Sequence, residues 1–163
     1  MIQLRTVQEK DTAFIEAVYR TTREAELNLT NWSEHQKSAF ISMQSAAQLA
    51  EYKTKCPGAI FQVIIYNKKN AGRFFTCENE DDIRLLDITI LPEFTGKGIG
   101  TDLMHRLIDR SNKVQKKISL HVEPSNPALK LYQRLGFIHI KNNGRFYYME
   151  REPGNYSTPY PSE

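Results

Sequence analysis

The sequence predicts an α/β fold, a mixed sheet of six to seven strands flanked by about four helices. Three observations predict it. Two helical patterns follow the first strand, an antiparallel meander of short apolar runs comes next, and a strand–helix–strand–helix–strand succession closes the chain. Residues 1–152 read as a single domain. Residues 153–163, with three of the seven prolines and little apolar surface, read as a mobile tail.

Ile2 to Val7 alternates its side chains and gives the first strand. Asp11 is a suitable N-cap for a helix with Phe14, Val18 and Ala25 on one stripe, ending near Leu29. Ser33-Glu34-His35-Gln36 is a capping box. The helix it opens carries Phe40, Met43 and Ala47 and ends before Cys56-Pro57-Gly58. Ala59 to Tyr66, rich in Ile and Val, is a strand. A turn over residues 67–72 leads to a partner strand from Arg73 to Cys77, and an acidic turn from Glu78 to Asp82 follows. Ile83 to Leu91 is nearly all apolar and therefore a central strand. The next helix puts Ile99, Leu103, Leu107 and Ile108 on one side and Asp102, Arg106, Asp109 and Arg110 on the other. Lys117 to Val122 is a fifth strand. Asn126 caps a helix with Pro127 in its first turn, Ala128, Leu131, Tyr132 and Leu135 facing inward, and Gly136 as the left-handed stop. Phe137 to Lys141 and Phe146 to Arg151 form a hairpin around Asn142-Asn143-Gly144.

Composition narrows the function. Hydrophobic residues make up 40% and charged residues 25% of the chain, ordinary globular usage. The net charge of +3 is too small to argue for a nucleic-acid partner. Lys113, Lys116 and Lys117 are accounted for by a helix C-terminus whose dipole they complement. Two cysteines, Cys56 and Cys77, imply no disulfide framework. No signal-like run and no bilayer-length apolar stretch is present, so no membrane partner is expected and a cytoplasmic protein is the default.

The chemistry centres on Ile88 to Thr101, Ile-Thr-Ile-Leu-Pro-Glu-Phe-Thr-Gly-Lys-Gly-Ile-Gly-Thr. An apolar strand runs into Pro92, and Gly96, Gly98 and Gly100 precede a helix. The first N–H groups of a helix have no intrahelical partner, and its dipole puts partial positive charge there. Glycines remove the β-carbons that would hold a phosphate away from the backbone. A phosphate-bearing ligand is therefore expected at residues 96–101. The G-x-G-x-G spacing fits neither the dinucleotide fingerprint G-x-G-x-x-G nor the nucleoside-triphosphate loop, because Gly98 follows Lys97. The same glycines would also serve as a turn that only packs a helix on a sheet.

A second block lies downstream, Asn126-Pro127-Ala128-Leu129-Lys130-Leu131-Tyr132-Gln133-Arg134-Leu135-Gly136-Phe137. Together the two blocks resemble the acyl-CoA N-acyltransferases of the GNAT superfamily. The family's [Gln/Arg]-x-x-Gly-x-[Gly/Ala] falls on Thr95, Gly98 and Gly100; its Asn, Ala, Leu-Tyr and Gly-Phe fall on Asn126, Ala128, Leu131, Tyr132, Gly136 and Phe137. Thr95 departs from the pattern, standing where the family has a Gln or Arg that helps hold the pyrophosphate. Lys97 is placed to supply the charge.

The resemblance implies an acetyl-CoA-dependent N-acetyltransferase in which an amine attacks the thioester directly in a ternary complex. The alternative is a non-catalytic acyl-CoA-binding or regulatory domain of the same fold. The pantetheine arm would add to the backbone of Ile88, Thr89, Ile90 and Leu91, as a peptide-like ligand adds to a strand. The pyrophosphate would fall on Gly96, Lys97, Gly98, Ile99, Gly100 and Thr101, with Asn126 as cap or CoA contact. A backbone N–H of Ile90 or Leu91 would steady the thioester oxygen. Tyr132 matches the family's general-acid tyrosine, and its other reading is a core aromatic. An amine with pKa about 10.4 must also lose a proton. His121 or Glu123, on the fifth strand, are the candidates for that step. Glu24, Trp32, His35, Gln36, Tyr147 and Tyr148 are the candidate acceptor contacts, with Glu24 suited to a cationic amine. The acceptor is a small-molecule or peptide amine, and a homodimer is a family habit.

Overall fold

The computed structural model describes residues 1–154; residues 155–163, on which most of the expected tail falls, lie outside the described residues. The elements are β1 (Ile2–Thr6), α1 (Thr12–Asn28), α2 (Glu34–Lys55), β2 (Ile60–Tyr66), β3 (Lys69–Glu78), β4 (Asp82–Ile90), α3 (Ile99–Val114), β5 (Lys117–Val122), α4 (Ala128–Arg134), β6 (Ile138–Asn143) and β7 (Phe146–Arg151). The strands make one seven-stranded sheet in the order β1-β2-β3-β4-β5-β7-β6. β4 is the middle strand, as its apolar run predicted. The sheet is mixed: β4 and β5 are parallel, whereas β1–β2, β5–β7 and β6–β7 are antiparallel.

The chain divides into two compact units. The first comprises Met1–Phe75 with Asp87–Ile99, the second Thr76–Leu86 with the described residues from Gly100 onward. β3 and β4 contribute residues to both.

In the first unit, α1 buries Ile15, Val18, Tyr19 and Leu27. The expected stripe shared only Val18 with this face; Ala25 is exposed and Phe14 half-buried. Apolar residues occur on more than one phase of α1, and Tyr19 with Leu27 wins because Ile41 and Phe40 of α2 pack there. The same choice leaves Met43 and Ala47 of α2 exposed. Asp11 does not cap α1 with its side chain. A single 3-10 turn, Glu9–Asp11, precedes the helix and turns the carboxylate back. It accepts from the Gln8 N–H at 2.7 Å and chelates Arg5 at 2.8 and 2.9 Å. Those partners hold the Asp11 carboxyl down at about 2, the Arg5 hydrogen bond first. The Ser33 capping box forms: the Gln36 N–H donates to Ser33 Oγ at 3.2 Å and the Ser33 N–H to Gln36 Oε1 at 2.8 Å.

The β2–β3 connection is shorter than the glycine at its end suggested. Asn67 and Lys68, at φ 48° and 69°, make the whole turn, and β3 begins at Lys69 rather than Arg73. Gly72 therefore lies inside the strand.

In the second unit, α3 buries Leu103, Met104, Leu107 and Ile108, and β5 buries Ile118, Leu120 and Val122. Gly136, at φ 95°, ends α4 as expected. The last hairpin turns at Gly144-Arg145, so Asn142 and Asn143 are strand residues rather than turn residues. The chain stays tied through Gly154, whose N–H donates to Asn112 Oδ1 at 2.7 Å and whose carbonyl accepts from Gln115 Nε2 at 2.8 Å. Contrary to the expectation from their number, Cys56 and Cys77 are disulfide-bonded and neither is a free thiol. Cα separation and side-chain direction decide whether thiols bridge, and cysteine counting is blind to both. Among the described residues no helix is long and apolar enough to cross a membrane, and no cluster of residues offers a metal site.

Candidate active site

In the first unit β4 ends in Ile88-Thr89-Ile90, and Leu91 leads into a 3-10 turn, Pro92–Phe94. The Leu91 N–H donates to the Ala71 carbonyl at 2.8 Å. The Thr89 carbonyl also points at β3, its oxygen 2.2 Å from where a β-carbon on Gly72 would stand. Backbone groups of successive strand residues point to alternate edges. Thr89 and Leu91 are therefore turned toward β3, and Ile88 and Ile90 present N–H and C=O to the opposite edge. Of the two N–H groups weighed for the thioester oxygen, that of Leu91 is engaged. The Ile90 N–H faces the other edge.

The loop that follows owes its glycines to backbone angles. Gly96 and Gly98 have φ of 76° and 78°, a region other residues avoid. A β-carbon on either would meet no atom within 4 Å, so the space before the loop is open. Lys97, between them, is exposed and outside that region. Left-handed residues set between right-handed or extended ones turn successive N–H groups to one side, forming an anion-binding concavity. Ile99, 1% exposed, anchors the first turn of α3, and Gly100 and Thr101 continue it. The Thr95 hydroxyl donates to the Pro92 carbonyl at 2.8 Å and closes the preceding turn. In the first unit the end of β4 thus runs through a turn into a loop whose two left-handed glycines are open in front.

On the same unit lies a polar group that sequence reasoning missed. Arg73, 1% exposed, donates from Nε to Asp87 Oδ2 at 2.5 Å and from Nη2 to Gln48 Oε1 at 2.9 Å. The Thr89 hydroxyl donates to both Asp87 oxygens, at 3.0 and 3.2 Å. The guanidinium carbon stands 4.9 Å from the Phe75 ring centre and 5.5 Å from that of Tyr19. Burial, with the Asp87 charge second, pushes the Tyr52 phenol up, so it remains a donor across the ordinary pH range.

Of the acceptor candidates on this unit, Glu24 is exposed and paired with Arg20 at 3.4 Å, while Arg20 also holds Glu34 at 2.7 Å. Trp32 is part-exposed and meets Phe40 edge-on, ring centres 5.2 Å apart. His35 is exposed. Gln36 has its side-chain oxygen in the Ser33 cap.

In the second unit the structure brings His121, Tyr148 and Asn143 together. His121 pairs across the sheet with Tyr148. Its ring lies 5.1 Å from that of Tyr148. The Asn143 amide nitrogen lies 3.0 Å from His121 Nε2. An amide nitrogen only donates, so that ring nitrogen accepts. Tyr148 donates to Glu150 Oε2 at 2.6 Å; burial first and that bond second push its phenol up. Tyr147 stacks on His139 with ring centres 4.2 Å apart. Glu123 pairs with Arg145 at 3.4 Å. Pro127 rather than Asn126 stands at the N-cap position of α4, and Asn126, one residue earlier, still accepts at Oδ1 from the Ala128 N–H at 2.9 Å. Tyr132, 5% exposed, is four residues on from Ala128 and tilts against Phe137, ring centres 5.7 Å apart.

Comparison with known proteins gives these features a context. The family described as the acetyltransferase (GNAT) domain matches residues 28–150. The catalytic subunit of the N-terminal acetyltransferase B complex of Arabidopsis thaliana is 35% identical over 68 residues, 40% of this chain and 39% of that protein. The chain thus spans about two fifths of the length of the curated relatives it matches. Among solved structures, PaiA N-acetyltransferase from Thermoplasma acidophilum, in complex with coenzyme A, superposes with a TM-score of 0.67 at 18% identity, covering 93% of this chain and 99% of that one. Spermidine N-acetyltransferase from Vibrio cholerae, in complex with coenzyme A and spermine, gives 0.65 at 22% identity, covering 96% and 98%. At these identities the likeness to the solved structures is one of fold.

Proposed function

The chain belongs to the GNAT acetyltransferase family, and on that premise we propose that it is an N-acetyltransferase that moves an acetyl group from acetyl-CoA to an amine within a ternary complex. The observation that carries the reading is the pair Gly96 and Gly98, left-handed and open in front, between the central strand and the first turn of α3.

Acetyl-CoA, the acyl donor of this family, supplies the activated thioester when bound. Ile88 and Ile90 offer the strand edge on which an amide-bearing arm is held. The backbone N–H groups of residues 96–101 hold the diphosphate, and Lys97 adds the charge that Thr95 lacks. The Ile90 N–H steadies the negative charge that develops on the carbonyl oxygen during attack.

On the second unit the resemblance assigns Tyr132 to hold a phenolic proton for the departing sulfur, and Asn126 to shape the helix that carries it. His121 and Glu123 are the groups that would take the amine's proton. Each already has a partner, Asn143 at His121 Nε2 and Arg145 at the Glu123 carboxylate. The acceptor is an amine of a small molecule or of a peptide terminus, classes that the spermine complex and the Arabidopsis relative represent among similar proteins.

Thiol release from acetyl-CoA across a panel of amines tests the reading. Amine-dependent release is expected. Saturable acetyl-CoA binding with no release under any amine would replace it with the non-catalytic alternative.

A further inference from the structure

The site as read from the sequence holds its acyl donor by backbone, and Glu24, its candidate for a cationic amine, is already paired with Arg20. The Arg73 group supplies the missing element. Asp87 and Thr89 lie two residues apart on β4 and so share a face of the strand. Ile88 and Ile90, proposed above to hold the acyl donor by their backbone, are their neighbours on β4. Asp87 Oδ2 is taken by Arg73 Nε, and the single Thr89 hydroxyl hydrogen is shared between both oxygens. Oδ1 thus keeps acceptor capacity, since an ionised carboxylate offers about four lone-pair sites. The side chain is 21% exposed, against 1% for Arg73. Asp87 is therefore half-buried, its guanidinium partner shielded while part of the carboxylate still reaches solvent.

We propose that Asp87 receives the ammonium group of the acceptor and that Arg73 is a positioning residue that fixes the carboxylate for it, so that the acceptor class is an aliphatic, cationic primary amine. The inference rests on the acetyl-transfer reading above. Gln48 holds the far end of the guanidinium, and the rings of Tyr19 and Phe75 flank it, so the carboxylate is fixed before the amine arrives. Thr89, Gly72 and Arg73 form one device. Gly72 lets β4 approach β3, Arg73 beside it in sequence grips Asp87, and Thr89 locks the carboxylate's rotation.

The test compares an aliphatic amine with an arylamine, which is uncharged at neutral pH, on the full chain. Asp87→Asn should raise KM for the aliphatic amine roughly 10- to 100-fold, the range for one lost charge-assisted hydrogen bond. The KM for acetyl-CoA and the arylamine kinetics should stay as in the wild type. Arg73→Met should reproduce the aliphatic KM effect and Arg73→Lys should recover part of it. If Arg73→Met does not fold, Thr89→Val replaces it, with the same KM effect expected. Calorimetric binding of the aliphatic amine in the presence of coenzyme A reads the contact without turnover. Its loss in Asp87→Asn upholds the inference even where no thiol is released, an outcome that would sink the acetyl-transfer reading alone. Equal losses for charged and uncharged amines, or unchanged aliphatic binding in Asp87→Asn, would overturn it.

Discussion

Gly72 approaches Thr89 so closely that a β-carbon on the glycine would lie 2.2 Å from the threonine's carbonyl oxygen. The obstacle is backbone, which cannot swing aside as a side chain does. Gly72→Ala must therefore part β3 from β4 at the segment that carries Ile88 and Ile90. A loss of about 1–3 kcal/mol, the usual cost of overpacking, is expected in chemical denaturation. Acetyl-CoA binding should weaken beyond what the lost stability explains, read by titration well below the melting temperature.

Gly98 and Gly58 make a matched pair, since neither has any atom within 4 Å of an added β-carbon. They differ in backbone angle: only Gly98 is left-handed, at 78°. Gly98→Ala should cost roughly 1–2 kcal/mol and weaken acetyl-CoA binding as the loop relaxes. Gly58→Ala should be neutral or stabilising by about 0.4–1 kcal/mol through the unfolded chain, with binding unchanged. Similar binding by the two variants would mean that the loop's angles are irrelevant to the ligand.

The Arg5–Asp11 pair sets an acid-stability limit. The Asp11 carboxyl sits at about 2, below its ordinary 3.8. A depressed carboxylate contributes stability above its unfolded value and loses it as pH falls toward its folded value. Between pH 3.8 and about 2 the protein should lose on the order of 1–2 kcal/mol from this group, allowing for the part-exposed Arg5. Asp11→Asn should be less stable at neutral pH and flatter across that window. Parallel curves for variant and wild type would exclude the pair as the source.

Tyr132→Phe should lower kcat by about 10²- to 10⁴-fold, the usual range for a positioned acid, while acetyl-CoA binding changes little. Its ring would keep the contact with Phe137, so the folded state should persist. His121→Ala and Glu123→Gln, measured alongside, should separate the two candidates for the amine's proton. The one that performs the step lowers kcat with little effect on KM for acetyl-CoA.

The sequence made the strand order's centre, the α3 stripe and the glycine loop legible, because each is written in neighbouring residues. Gly98 declares its angle by being glycine, and Ile99, Leu103, Leu107 and Ile108 declare one face by their spacing. What stayed hidden depends on register or on competition. Arg73 and Asp87 lie on two strands, and only the β3–β4 pairing brings a charge on one to a charge on the other. The α1 stripe was set by Phe40 and Ile41 across the helix pair, which no pattern internal to α1 contains. Asn67-Lys68 makes a two-residue turn with a lysine at positive φ, which residue preference does not signal. Asp11 looked like a cap because its partner Arg5 is a tertiary one.

The most direct measurement follows the backbone amides of ¹⁵N-labelled protein as coenzyme A is added. Bound diphosphate should move the signals of Gly96, Gly98, Ile99, Gly100 and Thr101 together with those of Ile88 and Ile90, and leave the Leu91 amide, already bonded to Ala71, the least changed of the strand. Saturable binding that shifts other parts of the chain while those loop amides stay still would contradict the grip on which the proposed acetyl transfer depends.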